Sequence, residues 1–482
     1  MGKIAKLAIP VLGGLALLPG CAVGPNYHRP PAETPPAWTP VEPWHEAAPG
    51  DSVLKGNWWE LFQDPALNPL VEQALTGNQN LKVASARLSQ ARDQLTIARS
   101  ALFPTIDFSA SAIRSKDSAN RPLAAYNVAN QSTVQNDFRL GPSVGYEVDL
   151  FGRVRREVEG ARASADQAAA DFENTRLVLL AALVTDYYAL RELDTEMDVV
   201  RRSLDLQRNA LTFVTSRHDL VFATGLDLAQ QQALLESSET QLELLQNQRY
   251  QFEHALATLV GTPAPGFALA PVTVAPPLPA LPVGVPSDLL QRRPDVASAE
   301  RAMAAANARI GVAKAAYFPT IELAPGLGVP GLGWESAAVA NLFDAPSRLW
   351  AIGLSASQTL FDAGKTRAEV RFANSDYVAA VASYRQTVLT AMEEVENGIT
   401  GLSSLERAAR QANASVESAQ RAFDIASERY KGGVDTYLDV ITAEQILLTN
   451  QRQAAQIQGQ QFATAVFLVK ALGGGWAMAS SR

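Results

Sequence analysis

The sequence predicts a mainly α-helical protein with a small amphipathic β part suited to a membrane, built by internal duplication. Three observations carry this. A helix-like stretch runs into Phe-Pro-Thr-Ile twice, at residues 78–108 and 292–323, with Phe103-Pro104-Thr105-Ile106 lying 215 positions before Phe318-Pro319-Thr320-Ile321. An alternating apolar pattern follows each copy, which is strand periodicity. Residues 154–218 keep apolar or small side chains at three-four spacing throughout, a stripe that spans roughly 90 Å at 1.5 Å per residue and exceeds any ordinary globular core.

The duplication continues downstream. Leu150-Phe151-Gly152 is echoed by Leu360-Phe361 and Gly364, with two residues inserted. At an offset of 212, Arg155, Glu157, Val158 and Ala161 meet Arg367, Glu369, Val370 and Ala373, and Leu226-Asp227-Leu228 meets Leu438-Asp439-Val440. Each copy reads as helix, strand, strand, very long helix, turn, long helix. The period is too long for a solenoid, so the copies form either two domains or one interleaved body.

The boundaries follow in chain order. Residues 1–20 look like a secretory signal: Lys3 and Lys6 precede a short apolar run that ends in Leu18-Pro19-Gly20. Leu-x-Gly-Cys resembles the bacterial lipobox, which implies that Cys21 carries a covalent lipid; Ala22 and Val23 after it favour sorting to the outer membrane. The plainer reading is a signal peptide with an incidental cysteine. Cys21 is the only cysteine, so no intrachain disulfide forms. Residues 21–64 form a Pro-rich tether and belt. The first repeat covers 65–261. Its opening helix is expected over 65–102, with a break near Gly77-Asn78, and its strands over 103–115 and 138–151, separated by a polar loop at 114–137. The long helix at 154–218 and the returning helix at 227–260 are joined by a turn near 220–225. Residues 262–286 are a Pro-rich connector. The second repeat, 287–473, repeats the order: a helix over 287–317, a third strand from Phe318, a Gly/Pro loop at 325–333, and a fourth strand carrying Trp350, Ile352, Leu354, Ala356 and Leu360. A long helix over 366–430, a turn at Lys431-Gly432-Gly433 and a helix over 435–472 complete it, leaving 474–482 as a tail.

Composition excludes several functions. The net charge of −8 and the lack of a basic patch argue against a nucleic-acid partner, and the four histidines fit no metal spacing. Gly364-Lys365-Thr366 imitates the end of a phosphate loop, but Thr359 stands where its first glycine belongs. No Ser/His/Asp signature, HExxH or dinucleotide loop is present, so an enzyme is not expected. Beyond the signal no apolar run reaches 18 residues, and any membrane-embedded part must therefore be a closed barrel. Four strands per chain are too few for one, since bacterial barrels begin at eight. More than one chain is required.

CAVGPNYHRP, WWELFQDPALNPLVEQAL, LLQRRPDVASAERAMAAANARIGVAKAAYFPT, RYKGGVDTYLDVITAEQILL and KALGGGW together resemble the TolC-type outer-membrane efflux lipoproteins. These are the NodT-like outer-membrane factors of resistance-nodulation-division tripartite systems. The resemblance covers nearly the whole chain. It implies a homotrimer whose twelve-stranded β-barrel, four strands per chain, continues into a long periplasmic α-helical barrel. It implies a passive exit duct for drugs or other small molecules in the outer membrane of a Gram-negative bacterium, served by a periplasmic membrane-fusion adaptor and an inner-membrane pump. No cofactor is implied beyond the lipid on Cys21.

For a duct, the informative residues lie at the closing end, on the turns opposite the strands. Asp439 and Asp227 each sit one turn into a returning helix, and Asp435 one turn before Asp439; three chains would gather such carboxylates into rings that favour cations. By resemblance the gate candidates are Asp439, Asp227, Asp435, Leu438, Tyr430 and Thr442, the last at a position that many relatives fill with an acid. The plainer reading for Asp435 and Asp227 is helix capping; Asp439, deeper in its helix, is expected to act at the gate. Lys431, Gly432, Gly433, Val221 and Gly225 are candidates for adaptor contact. The first turn lacks the Gly-Gly of the second, so the two are expected to differ in shape. Arg292-Arg293-Pro294-Asp295 reads as structural. The rival readings are the outer-membrane channel of a type I secretion system and a lipid-anchored coiled-coil scaffold without a pore, which would have no need of amphipathic strands.

Overall fold

The computed structural model describes residues 22–30, 57–120, 133–272, 278–279, 293–324 and 332–474; Cys21 and the signal lie outside them. The elements are α1 Leu67–Gly77, α2 Gln79–Ser100, β1 Thr105–Lys116, β2 Val134–Glu147, α3 Arg153–Asp219, α4 Gly225–Val260, α5 Pro294–Ala315, β3 Thr320–Ala324, β4 Leu332–Ser336, β5 Arg348–Trp350, β6 Gly353–Ser357, α6 Lys365–Lys431 and α7 Tyr437–Ala471. Contacts divide the chain into two units, one from 1–30, 89–167 and 300–383, the other from 31–88, 168–299 and 384–482.

The first unit holds the sheet. β1 and β2 form an antiparallel hairpin in unbroken register from Thr105↔Gly145 to Lys116↔Val134. Directly paired residues share a face. Ile106↔Val144, Phe108↔Pro142, Ala110↔Leu140 and Ala112↔Phe138 make one face apolar, while Asp107↔Ser143, Ser109↔Gly141 and Ser111↔Arg139 make the other polar. β3 and β4 lie end to end along β2, and β6 and β5 pair with them in turn. The apolar face continues through Tyr146↔Leu323 and Leu323↔Leu354 and the polar one through Glu147↔Glu322 and Glu322↔Ser355. Six segments therefore make four columns. The apolar face is open, with Phe108 69% and Leu354 64% exposed.

Three strand expectations are corrected. The hairpin extends into the polar stretch assigned to a loop, to Lys116 on one side and from Val134 on the other, because the backbone ladder continues where the apolar alternation stops. The fourth strand is split at Ala351-Ile352, and Leu360 lies beyond its end. Leu332 and Gly333, assigned to a Gly/Pro loop, belong to β4; residues 325–331 of that loop lie outside the described residues. A Cβ built on Gly333 would sit 2.3 Å from the Leu140 carbonyl oxygen, and one on Gly141 2.2 Å from that of Leu332. The glycines that suggested a loop instead let two strands approach closely.

The long helices of this unit start on acidic caps. Asp149 accepts the Val154 and Arg155 amides at 3.1 and 2.9 Å, which ends β2 at Glu147. Asp362 accepts the Gly364 and Thr366 amides at 2.9 and 2.7 Å, so the amides that a phosphate would seek are already bound. Residues 22–30 lie along α3 and α5. Arg156 donates to the Val23 and Gly24 carbonyls and to Asn26, Asn307 donates to the Pro25 carbonyl, and Tyr27 to Glu300. Gly24 rests on Gly311, where a Cβ would come 2.5 Å from the Gly311 Cα.

The second unit is helical. The expected break between α1 and α2 is present, and Asn78 explains it: its carbonyl oxygen caps α2 through the Leu81 amide at 3.0 Å, and its amide donates to the Leu259 carbonyl. Trp58, Trp59 and Phe62 bury themselves among side chains of α3 from Leu180 to Leu190 and of α7 from Phe462 to Ala471, with Tyr188 stacked on Phe462 at 4.4 Å. A buried ion cluster ties the connector down. Arg249 binds Asp194 at 2.6 Å and Glu253 at 2.8 Å, and Arg191 binds Asp194 at 2.9 Å. The same groups take the Leu269 and Val272 amides and the Leu269 and Ala270 carbonyls. α5 begins at Pro294, later than the expected 287, with residues 287–292 outside the described ones. Arg293 is buried and reaches Asp295, Glu394 and the Ala471 carbonyl, which fits the structural reading of this motif.

The close approach of β2 and β4 yields a prediction. Gly141→Val should cost about 1–3 kcal/mol through overpacking against backbone, read as a lower midpoint in thermal unfolding. Gly145→Ala, whose Cβ would meet only the Thr105 hydroxyl at 3.1 Å, should cost less.

Candidate functional site

Both helix–helix turns lie in the second unit, and they are built alike. In the first, the Val221 amide donates to the His218 carbonyl at 2.9 Å and the Phe222 amide to Arg217 at 2.8 Å. In the second, Gly433 donates to Tyr430 at 3.0 Å and Val434 to Arg429 at 2.9 Å. This is the paired 5→2 and 6→1 closure of a Schellman motif, and it requires a left-handed residue at its centre. Gly433 has φ 73° and Val221, 212 positions earlier, φ 63°. The expectation that the turns differ in shape is therefore corrected. A β-branched residue occupies the left-handed region at a cost of roughly 1–2 kcal/mol, held there by the helices on either side.

The returning helices also start alike. Thr224 caps α4 and Thr436 caps α7, each in a reciprocal box with an aspartate three residues on. Asp227 accepts from the Thr224 amide at 2.8 Å and hydroxyl at 2.9 Å; Asp439 accepts from the Thr436 amide at 3.2 Å and hydroxyl at 2.7 Å. Asp439 is thus not set apart from Asp227 by depth in its helix: both hold the third position and both serve the cap. Asp435 is not a cap. It takes a bidentate grip from Arg429 at 2.5 and 2.8 Å, and this guanidinium holds its carboxyl below the usual range.

Aromatic packing joins the turns. Tyr430 lies 4.9 Å from Tyr437 and 6.3 Å from Phe213, and Arg217 stacks over its ring at 4.9 Å. Tyr430 and Tyr437 pack with Val214, Leu234, Val440 and Ile441 in a small core behind the turns. Burial raises the Tyr430 phenol above its ordinary value, and the nearby Arg217 works against that shift. Leu438 and Thr442 are exposed, and the Thr442 hydroxyl donates to the Leu438 carbonyl at 2.8 Å. Lys431 pairs with Glu428 at 2.8 Å, Gly432 closes the last turn of α6, and Gly225 opens α4.

Sequence reasoning missed the apolar character of the first turn. Val221 is 91% and Phe222 73% exposed, beside exposed Leu220 and Leu226. The signal was available: Leu-Val-Phe at a helix reversal runs against turn chemistry. It also missed a buried polar layer formed by Ser203, Gln207, Gln231, Tyr437 and Glu444, because those side chains are far apart in sequence.

The matching turns set up a paired test. Gly433→Val should lower stability by about 1–2 kcal/mol, whereas Val221→Gly should be neutral or stabilising, since relief of the left-handed strain outweighs the extra chain entropy of glycine. Denaturant unfolding of the two variants beside the parent checks the opposite signs.

Residues 70–262 and 285–474 match the family model described as outer membrane efflux protein. The toluene efflux pump outer membrane protein TtgF of Pseudomonas putida is 32% identical over 474 residues, 96% of each chain. The pyoverdine export outer membrane protein OpmQ of Pseudomonas aeruginosa is 32% identical over 444 residues, 90% of each. Among solved structures, the outer-membrane channel OprN superposes with a TM-score of 0.85 at 31% identity, covering 95% of this chain and all of that one. The Campylobacter jejuni CmeC outer membrane channel gives 0.85 at 26% identity, covering 96% of each. With both repeats matched and relatives aligned along almost their whole length, the chain belongs to the outer membrane efflux protein family.

Proposed function

We propose that this protein is the outer-membrane exit duct of a tripartite efflux pump, passively conducting drugs or other small molecules delivered by an inner-membrane transporter through a periplasmic adaptor. The two-faced sheet carries this reading. Its four columns are apolar on one face and polar on the other, and its outer columns leave edges unpaired among the described residues. Unpaired edges are not tolerated in hydrocarbon, so neighbouring copies supply the missing partners; three copies give twelve columns. Among the described residues no helix is long and apolar enough to cross a membrane. The relatives are named for efflux and export of small molecules, which favours this reading over protein secretion.

The turns supply the closing end. Asp227, Asp435 and Asp439 put three carboxylates per chain at one extremity of the helical unit, and threefold symmetry would gather them into an acidic constriction that favours cations. The exposed Leu220, Val221, Phe222 and Leu226 of the first turn offer an apolar knob to an adaptor, with Gly225 beside them in sequence, and Lys431, Gly432 and Gly433 are the contact candidates on the second turn. A lipid on Cys21 would anchor the chain beside Ala22, which packs against Gly152 at the start of α3.

Conductance of the full-length protein in planar bilayers tests the duct and its gate together. Asp439→Ala should raise the current, and Thr436→Ala should not, although both lose the cap and about 1 kcal/mol. Equal increases would assign the effect to helix fraying, and the absence of any current from an inserted oligomer would reject the duct. For the anchor, Cys21→Ser should abolish incorporation of radiolabelled palmitate while leaving synthesis of the chain intact. Retained label would place the lipid elsewhere.

A further inference from the structure

Behind the turns, α3, α4 and α7 meet in a hydrogen-bonded layer that the gate reading does not use. The Tyr437 hydroxyl donates to Gln231 Oε1 at 2.7 Å, Gln231 Nε2 to the Gln207 carbonyl at 2.9 Å, and Gln207 Nε2 to Ser203 Oγ at 3.0 Å. Ser203 Oγ then donates to Glu444 Oε1 at 3.5 Å. Gln207 and Gln231 are fully buried, and Glu444 is 4% exposed. Two features do not balance. Among the described residues, Gln207 Oε1 is buried without a partner and Glu444 forms no ion pair although it is a carboxyl inside the core.

Charges on the surrounding helices are engaged elsewhere. On α3, Arg208 binds Asp205 and Glu239; on α4, Glu236 takes a hydrogen bond from Gln232; on α6, which presents Phe423 and Ala426 to the core here, Asp424 bonds Gln420 and Arg421 bonds Ser418. On α7 itself Asp439 serves the cap, and Arg452 is held by Glu196. The titratable group of the layer besides Glu444 is the Tyr437 phenol, which burial also raises. A neutral carboxylic acid at Glu444 carries no charge for the buried layer to compensate and adds a donor to a layer in which Gln207 Oε1 has none. A carboxylate supplies no donor, and its buried charge is met only by the neutral groups of Gln207 and Ser203.

We propose that Glu444 is a proton-binding site that sets how firmly α7 is held against α3 and α4 behind the gate turns, the acid form closing the layer and loss of the proton loosening it. The consequence for gating rests on the exit-duct reading; proton occupancy does not. Burial pushes the Glu444 carboxyl from 4.5 up to about 7, with Gln207 and Ser203 pulling the other way. A carboxyl raised in the folded state contributes its full stability below pH 4.5 and loses it as pH rises through 7. The layer is thus closed in acid and opens across neutrality.

Two readouts on the full-length, bilayer-reconstituted protein test this. Infrared difference spectra between pH 6 and pH 8.5 should show a carboxylic acid carbonyl band disappearing, and Glu444→Gln should remove that difference. Glu192→Gln should leave the Glu444 part in place; it is the needed control, because burial and Glu196 raise Glu192 as well. Current should rise several-fold over the same pH range in the parent and stay at its low value in Glu444→Gln. Ser203→Ala, which removes a hydrogen bond that favours the carboxylate, should shift both responses to higher pH and serves if the glutamine variant does not fold. A band unaltered in Glu444→Gln, or an unchanged pH response of the current in that variant, overturns the proposal. No current at any pH would reject the duct, and the infrared result would still decide the proton site.

Discussion

A sheet that faces hydrocarbon must pair every backbone amide and carbonyl, and much of this molecule follows from that requirement. The ladder between β1 and β2 runs through polar residues for the same reason: pairing is imposed by the backbone even where the side chains give no apolar signal. Gly141 and Gly333 serve it by letting β2 and β4 close on each other. Four columns still leave outer edges open among the described residues, and four are too few to close into a barrel. The need for partner copies is thus a consequence of hydrogen bonding in a medium without water.

At the helix–helix turns the controlling physics is that of helix termini. The first and last backbone groups of every helix lack intrahelical partners. Both turns answer this twice, with a left-handed closure on the outgoing helix and a Thr–Asp box on the returning one. The closure is strong enough to hold Val221 where Gly433 sits in the other copy. Duplication therefore preserved a backbone geometry while its residues diverged. It also explains why the aspartates have two claims on them: the carboxylate that would line a constriction is the carboxylate that starts the helix.

Within the second unit, buried polar groups decide how the helices are held. The Asp194–Arg249–Glu253 cluster is fully paired, and its remaining hydrogen bonds go to the connector backbone, so burial of charge there is compensated. The layer around Glu444 is not balanced in the same way, because among the described residues it has a carboxyl and no cation. A paired cluster holds its helices through opposite charges already in contact. A carboxyl balanced only by neutral donors depends on its proton. The two kinds of joint lie on the same helices, α3 and α4, with the second nearer the turns.

The sequence by itself determined the duplication, the order of helices and strands, the break at Gly77-Asn78, the two-faced character of the strands and the family. All of these rest on periodicity, proline placement or motif strings, which are local and survive without knowledge of contacts. It misassigned Leu332-Gly333 to a loop, since a glycine reads the same whether it frees a turn or admits a neighbouring strand. It drew the hairpin too short, because polar strand residues look like loop residues until their partners are known. It expected unlike turns from Leu220-Val221 and Gly432-Gly433, where the flanking helices override residue preference. Only the tertiary structure decided that Asp439 and Asp227 share one capping role, that Asp435 answers to Arg429, and that Glu444 meets Ser203 and Gln207. Those groups are separated by up to 241 positions along the chain, and local pattern carries no information about which distant polar side chains share a buried layer.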